Sequence, residues 1–458
     1  MAIATINPTT GAVEQEFTAH SDVEIEERVA RAHAAHLALL DTDFSQRAQW
    51  MRRAADILEE EADDAARMIT REMGKTLVQA RAEVLKSAGA MRFYADNAET
   101  FLAPRALDDP SAVGASQAYA VYRPIGVVLA VMPWNYPIWQ VIRFAAPALM
   151  AGNTGLLKHA SNVPQSALYL DSLFDRAGFP TGSFGTLLIP ASRVEGVLRD
   201  RRVVAATLTG SEPAGRSVAS IAGSEVKHVV LELGGSDPFI VMPSADLDAA
   251  VATAVTSRTT NNGQACINAK RFIVHTDIYD TFVAKFTAAM SALTVGDPLD
   301  AGTDVGPLAT AGGRTELSEL VDDARAKGAV ITTGGSAVDG AGWFYQPTVI
   351  TDVTTHMRLY AEEAFGPVAT VYRATDAHDA LRIANDTTFG LSSAVWTQDA
   401  AEENLFVTRL DAGAVFINGM SISYSQLPFG GVKDSGVGRE LSAEGIREFC
   451  NLKSVWKG

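Results

Sequence analysis

A chain of 458 residues with 47% hydrophobic and 20% charged side chains has room for two or three domains around large cores, at about 150 residues per domain, which excludes a disordered or fibrous protein. Its formal net charge of −16 repels nucleic acid and anionic membranes, so neither is expected as a partner, and an anionic substrate would have to be drawn in by local lysines or arginines. Cys266 and Cys450 are its two cysteines, which excludes a disulfide framework. The start, Met1 to Pro8, has neither a basic nor an apolar region, so a reducing cytoplasm is the expected location.

Apolar residues recur at heptad-like spacing from Asp43 to Met73 and from Leu77 to Phe101, cut by Gly74 and Pro104, so the first hundred residues read as helices. The many charges on their other faces read as solvated surface. His33 and His36 lie three apart with no third ligand nearby, which reads as surface histidine, and no metal site is expected. Residues 124–142 carry no charge, yet Pro124, Pro133 and Pro137 would break a spanning helix, so this stretch reads as a buried strand and a turn.

From Tyr119 short apolar runs alternate with helical stretches. Strands are expected near 125–131, 154–157, 186–189, 203–208, 229–233 and 239–242, with helices at 164–177 and 212–222. Beyond the Cys266 loop the alternation resumes, with strands near 272–274, 330–332, 369–372, 393–396 and 414–417 and helices near 279–293, 314–327, 377–385 and 400–410. Strands alternating with helices imply parallel sheets with right-handed crossovers. Two α/β domains follow, divided near Gly234-Gly235.

Four stretches carry chemistry. Cys266 sits in the small polar loop Asn261-Asn262-Gly263-Gln264-Ala265-Cys266, where a thiol can meet a ligand. Asn135, in Pro133-Trp134-Asn135-Tyr136-Pro137, follows a strand and can offer an N–H to an oxyanion or cap the next helix. Glu232 ends a strand at Leu231-Glu232-Leu233-Gly234-Gly235; desolvation there would raise its pKa into the range of a general base. Thr209-Gly210-Ser211-Glu212 turns from strand to helix and could present backbone N–H groups to a phosphate.

Together with Lys158, Glu363-Ala364-Phe365-Gly366-Pro367, Asn385, Gly390-Leu391 and Pro428-Phe429-Gly430-Gly431, these stretches resemble the aldehyde dehydrogenase superfamily over essentially the whole chain. The resemblance implies an α/β fold with a Rossmann-type cofactor domain (1–103 and 125–234), an α/β catalytic domain (235–435) and a small β oligomerisation element (104–124 and 436–458), assembled as a homodimer or homotetramer. It also implies nicotinamide-dependent oxidation of an aldehyde. Cys266 would form a thiohemiacetal whose oxyanion is held by Asn135 and the Cys266 N–H; after hydride transfer, Glu232 would activate the water that cleaves the thioester. Cofactor contacts are implied for Trp134, Asn135, Lys158, Ser161, Gly210, Ser211, Leu233, Glu363 and Phe365.

Two departures narrow the resemblance. Members that prefer NAD commonly carry a glutamate three residues after the lysine, whereas this chain has Ser161; without that carboxylate there is no repulsion of a 2′-phosphate, so NADP is the expected cofactor, with NAD possible. Arg143 and Ser423 stand where relatives acting on apolar aldehydes often have aromatic residues. Paired guanidinium donors and a hydroxyl suit a carboxylate, which resembles the branch acting on succinate semialdehyde, with Trp139 and Phe429 as apolar walls. Glutarate semialdehyde is the alternative substrate, since one methylene is worth only about 1–3 kcal/mol of discrimination.

Overall fold

The computed structural model describes residues 2–458. One six-stranded sheet runs in the order Gly436–Val437, His228–Glu232, Val203–Thr209, Val127–Met132, Thr154–His159, Phe184–Thr186, and a seven-stranded sheet in the order Val330–Thr333, Thr348–Thr351, Val368–Ala374, Ala269–His275, Asp237–Val241, Ala394–Trp396, Phe416–Ile417. Neighbours are parallel except for the edge strands Gly436–Val437 and Val330–Thr333.

Helices cover both faces of each sheet, so the central strands are apolar on both sides. Val128, Ala130 and Met132 face one core and Val127 and Leu129 another; Ile240 and Met242 divide from Phe239 and Val241 in the same way. Successive side chains of a strand point to opposite faces, which accounts for that division. Glu232 and Asp237 end and begin adjacent strands of the two sheets, joined by residues 233–236, so the base and the second sheet share one short connection.

The expected helices at 164–177 and 377–385 are found with those bounds, and most strands lie within a few residues of their expected places. The first hundred residues differ from a purely helical reading. Ile3–Ile6 and Val13–Phe17 form an antiparallel hairpin, and the stretch from Asp43 to Met73 is two helices, Phe44–Glu60 and Ala62–Met73, that meet at Glu61. His36 is not a surface residue: it is buried, and its Nδ1 bonds the Gly152 carbonyl at 3.0 Å. The strand expected at 186–189 lies earlier, at Phe184–Thr186.

Gln117–Pro124 and Cys450–Lys457 pair along eight residues in a separate three-stranded sheet with Arg105–Ala106. The element expected at 436–458 therefore begins late. Gly436 and Val437 belong to the first sheet, and Ser435 accepts the Leu233 N–H there. The cause is local: Gly436 has φ 135°, and a side chain on it would collide with the Leu231 carbonyl.

The helix Leu77–Phe101 is not merely a solvated scaffold. Glu83, Ser87, Ala90 and Tyr94 are buried, the i, i+3/i+4, i+7 spacing of a single face, and that face turns toward the Cys266 region.

Candidate active site

The loop that carries Cys266 is held by its backbone conformation. Asn261 and Asn262 adopt left-handed φ values of 57° and 55°, which asparagine tolerates better than most residues. The Asn261 amide donates to the carbonyls of Asn135 (2.8 Å) and Gln264 (2.9 Å), and the Asn262 amide to those of Gly74 (2.7 Å) and Pro307 (3.0 Å). Gly263, φ 76°, presses backbone to backbone on Gly366 and Pro367; this joins two motifs a hundred residues apart. Lys270, buried, donates to the carbonyls of Ala265 (2.8 Å) and Cys266 (2.6 Å) and pairs with Glu363 at 2.8 Å.

Cys266 itself is partly exposed, with its thiol pushed up to about 12 by burial, against the opposing pull of Lys270 and Arg143. The resting group is the neutral thiol, and attack requires a base. Glu232 is buried and neither carboxylate oxygen has a hydrogen-bond partner. Burial, then the neighbouring Glu440, raises its pKa to about 8, while Arg143 and Arg439 pull it down. Gly430 must be small here, because a Cβ would lie 2.9 Å from Glu232 Oε1. Gly235 is equally constrained, since a Cβ would come 2.6 Å from the Cys266 carbonyl oxygen. Gly235 thus lets the segment after Glu232 approach the nucleophile loop, while a side chain on Gly234 would collide with the carboxylates of Glu212 and Glu363.

Asn135 is buried, and its Nδ2 donates to the Gln264 carbonyl at 3.0 Å; the second amide proton remains for a ligand. Its turn is anchored from below. Glu83 accepts the backbone N–H groups of Ile138 (2.9 Å) and Trp139 (3.0 Å) and forms a fully buried ion pair with Lys75, whose ammonium lies 3.6 Å from the Tyr136 ring centroid. His159 completes the anchor: its Nδ1 accepts from the Ala160 N–H and its Nε2 donates to the Pro137 carbonyl at 2.9 Å.

Ala90, Trp139, Leu391, Phe429 and Leu441 form an apolar cluster against which Tyr136, Cys266 and Ile267 pack. Trp139 and Phe429 are therefore brought to the nucleophile. Arg143 is brought there too, but it is not a free cation. It is buried, forms an ion pair with buried Glu440, donates to Thr209 at 3.2 Å, and lies 4.7 Å from the Phe429 ring centroid. Ser423, expected with Arg143 to meet a substrate carboxylate, accepts from Lys86 Nζ (2.8 Å) and Trp139 Nε1 (3.1 Å). Sequence reading missed Lys86, Glu440, Lys270 and the Lys75–Glu83 pair. Lysines and glutamates in charged stretches look solvated until distant elements close over them.

Beside this pocket a cavity of about 1210 Å³ is lined by Trp134, Lys158, Ser161, Glu212, Glu363 and Phe365, among others. The dimensions and chemistry suit a dinucleotide. Lys158 has no hydrogen-bond partner among the described residues, and desolvation lowers its pKa; a phosphate would meet an otherwise unpaired ammonium. Trp134 and Phe365 stand edge to face with ring centroids 5.7 Å apart. Gly210 and Ser211 lead into the helix Glu212–Ser224, whose first residue lines the cavity, and the Ser211 side chain does not cap it. The Leu233 side chain does not line the cavity; it packs into the core on Gly215, where a Cβ would meet it at 2.5 Å.

The family model for the aldehyde dehydrogenase family matches residues 1–455. Over its full length the chain is 64% identical to a succinate-semialdehyde dehydrogenase [NADP(+)] 1 of Mycobacterium ulcerans, all of which is covered, and 63% identical to a succinate-semialdehyde dehydrogenase [NADP(+)] of Mycobacterium avium, of which 97% is covered. Its backbone is similar to that of the succinic semialdehyde dehydrogenase of Streptococcus pyogenes, solved in complex with NADP+, at a TM-score of 0.96 and 36% identity over 99% of both chains. A thiol, a buried unpartnered carboxylate and an amide donor meeting beside a dinucleotide-sized cavity are thus accompanied by full-length likeness, and the chain belongs to the aldehyde dehydrogenase family.

Proposed function

We propose that this protein oxidises succinate semialdehyde to succinate with NADP. The observation that carries the reading is the unpartnered Glu232 carboxylate, buried beside Cys266 and raised into the range of a base that works near neutral pH. The names of the full-length relatives support the substrate and the cofactor.

In this reading Lys158 and Ser161 face the 2′-phosphate end of NADP, Glu363 and Phe365 face the nicotinamide end, and the helix start after Gly210 and Ser211 faces the phosphates. When bound, the cofactor supplies the hydride acceptor. Cys266 Sγ bonds to the aldehyde carbon as its proton passes to Glu232. The free Asn135 amide proton and the Cys266 N–H, which has no acceptor among the described residues, hold the oxyanion. Once the carbon is oxidised to a thioester and Glu232 has released the thiol proton to solvent, Glu232 takes a proton from water, the water oxygen bonds to the carbonyl carbon, the C–S bond breaks and the sulfur takes the proton back from Glu232.

Residues 1–103 and 125–234 form the cofactor domain of this reading and 235–435 the catalytic domain. The arm of Gln117–Pro124 and Cys450–Lys457 is the surface through which copies of the chain assemble.

Initial rates with succinate semialdehyde and with propanal, each with NADP and NAD, test the reading. The specificity constant is expected to be highest for succinate semialdehyde with NADP, and Ser161→Glu is expected to move the preference toward NAD by at least tenfold. Equal activity on both aldehydes would remove the substrate assignment. An unchanged cofactor ratio in Ser161→Glu would remove Ser161 from cofactor selection.

A further inference from the structure

We infer that Lys270 is a positioning residue for the reacting thiol: by gripping the carbonyls of Ala265 and Cys266, it aims the Cys266 N–H at the place where the oxyanion forms. The inference rests on the proposed reading, in which that N–H holds the oxyanion, and adds the group that orients it.

Peptide geometry argues first. The Ala265 carbonyl and the Cys266 N–H belong to one planar trans peptide, so they point in opposite directions. The Lys270 ammonium takes that carbonyl at 2.8 Å, with the Asn268 N–H on it at 3.2 Å, and the Cys266 N–H is thereby turned away from the lysine. It meets no acceptor among the described residues. The Cys266 carbonyl, one peptide further on, is held by the same ammonium at 2.6 Å. The two peptides that flank the Cys266 Cα are thus fixed by one charged group. A cation on a carbonyl also polarises the peptide, so that its N–H donates more strongly.

Charge argues separately. Lys270 is 2% exposed and comes from the strand Ala269–His275, four residues beyond the nucleophile. Strand packing alone is better served by an apolar side chain of the same volume, which avoids the desolvation cost. The ammonium has three protons and meets three oxygens, the two carbonyls and the Glu363 carboxylate at 2.8 Å. A second acid faces it. Asp237 is buried, with one oxygen accepting the Ser392 N–H at 3.1 Å and the other without a hydrogen-bond partner among the described residues. The field of Lys270 opposes the burial that raises the Asp237 pKa. Two acids for one ammonium leave Lys270 a counter-charge when Glu363 turns to the cofactor, so its grip on the nucleophile loop persists through the reaction.

The test compares two reagents at Cys266, in chains that carry Cys450→Ala so that one thiol reacts. With p-nitrophenyl acetate, Sγ bonds to the ester carbon, an oxyanion forms, and p-nitrophenolate leaves. With iodoacetamide, Sγ displaces iodide and no oxyanion forms. Both need the same ionised sulfur, so a change in thiolate population cancels in the ratio of the two second-order rate constants, and the effect of the oxyanion donors remains. Lys270→Met is expected to lower that ratio by about 10- to 100-fold, the cost of a misplaced rather than a missing donor. Lys270→Arg, which keeps the charge and can grip two carbonyls, is expected to recover most of the loss. Lys270→Gln, neutral and one atom shorter, replaces the Met variant if that chain does not fold.

A ratio within threefold of the parent in Lys270→Met would overturn the inference and leave Lys270 acting on thiol ionisation or on folding alone. An Arg variant no better than the Met variant would overturn it too, by assigning the loss to repacking. Neither reagent bears a distal carboxylate or uses NADP, so the outcome is scored apart from the substrate and cofactor assignments, which initial rates on the two aldehydes decide.

Discussion

Glu232 works as a base only when it has lost its proton, and that fixes the sign of a pH profile. Burial and then Glu440 hold its pKa up, at about 8, whereas an exposed glutamate titrates near 4.3, roughly. At saturating substrate kcat should therefore climb with pH through the neighbourhood of 8 and fall about tenfold per pH unit below it. Glu440→Gln removes a negative neighbour and also frees the Arg143 charge; both changes stabilise the ionised Glu232, so the acid limb should move to lower pH. A profile from pH 6 to 9.5 that is flat in the parent, or a limb that stays put in Glu440→Gln, would show that some other group limits turnover. Among the residues behind this prediction, Glu232 and Cys266 were legible because each stands in a short motif whose glycines have a local steric purpose. Glu440 and Lys86 were not: the bond from Lys86 to Ser423 spans 337 positions, and no local pattern encodes it.

At the scale of elements, the helix Leu77–Phe101 shows what periodicity conveys and what it omits. Its apolar spacing revealed a helix, but Glu83 on its buried face and Lys75 just before it read as solvent-facing charges until Tyr136 and the N–H groups of Ile138 and Trp139 are seen resting on them. The Lys75–Glu83 pair has both side chains fully buried, and Glu83 also fixes the start of the helix Trp139–Ala151. Replacing Glu83 by Gln keeps an acceptor for those N–H groups but strands the Lys75 ammonium, at a cost of about 3–5 kcal/mol for an unpaired buried charge. Thermal unfolding should show a clear drop in Tm for Glu83→Gln, largely restored in Lys75→Met/Glu83→Gln, where both charges are gone. A single variant as stable as the parent, or a double variant no better than the single, would mean the pair is not what holds the turn. The strand Thr348–Thr351, by contrast, was not legible: two threonines flank Val349 and Ile350, too short a run to stand out from a loop, and only pairing with Val330–Thr333 and Val368–Ala374 makes it a strand.

For the whole molecule, the three-stranded sheet is the feature that a lone chain explains least. Cys450–Lys457 lies at its edge, eight residues long, bonded on one side to Gln117–Pro124 and, among the described residues, with no strand on the other. Leu452 is 45% exposed and Trp456 59%. A long edge strand bearing exposed apolar side chains invites pairing with another chain, and bulges, prolines or a covering loop would normally blunt it if pairing were to be avoided. Its sequence, Cys450-Asn451-Leu452-Lys453-Ser454-Val455-Trp456-Lys457, holds no proline, and the register with Gln117–Pro124 is unbroken. A second copy that adds its own strands to this edge would satisfy the free backbone groups and cover Leu452 and Trp456 together, since residues four apart in a strand share a face. Light scattering on the purified chain should accordingly give a multiple of the monomer mass. Leu452→Asp/Trp456→Asp, which places two carboxylates on that face, should shift the distribution to monomer while far-ultraviolet dichroism stays that of the parent. A parent already monomeric at micromolar concentration would exclude the arm as a contact surface; an assembly that survives both substitutions would place the contact on another face of the molecule.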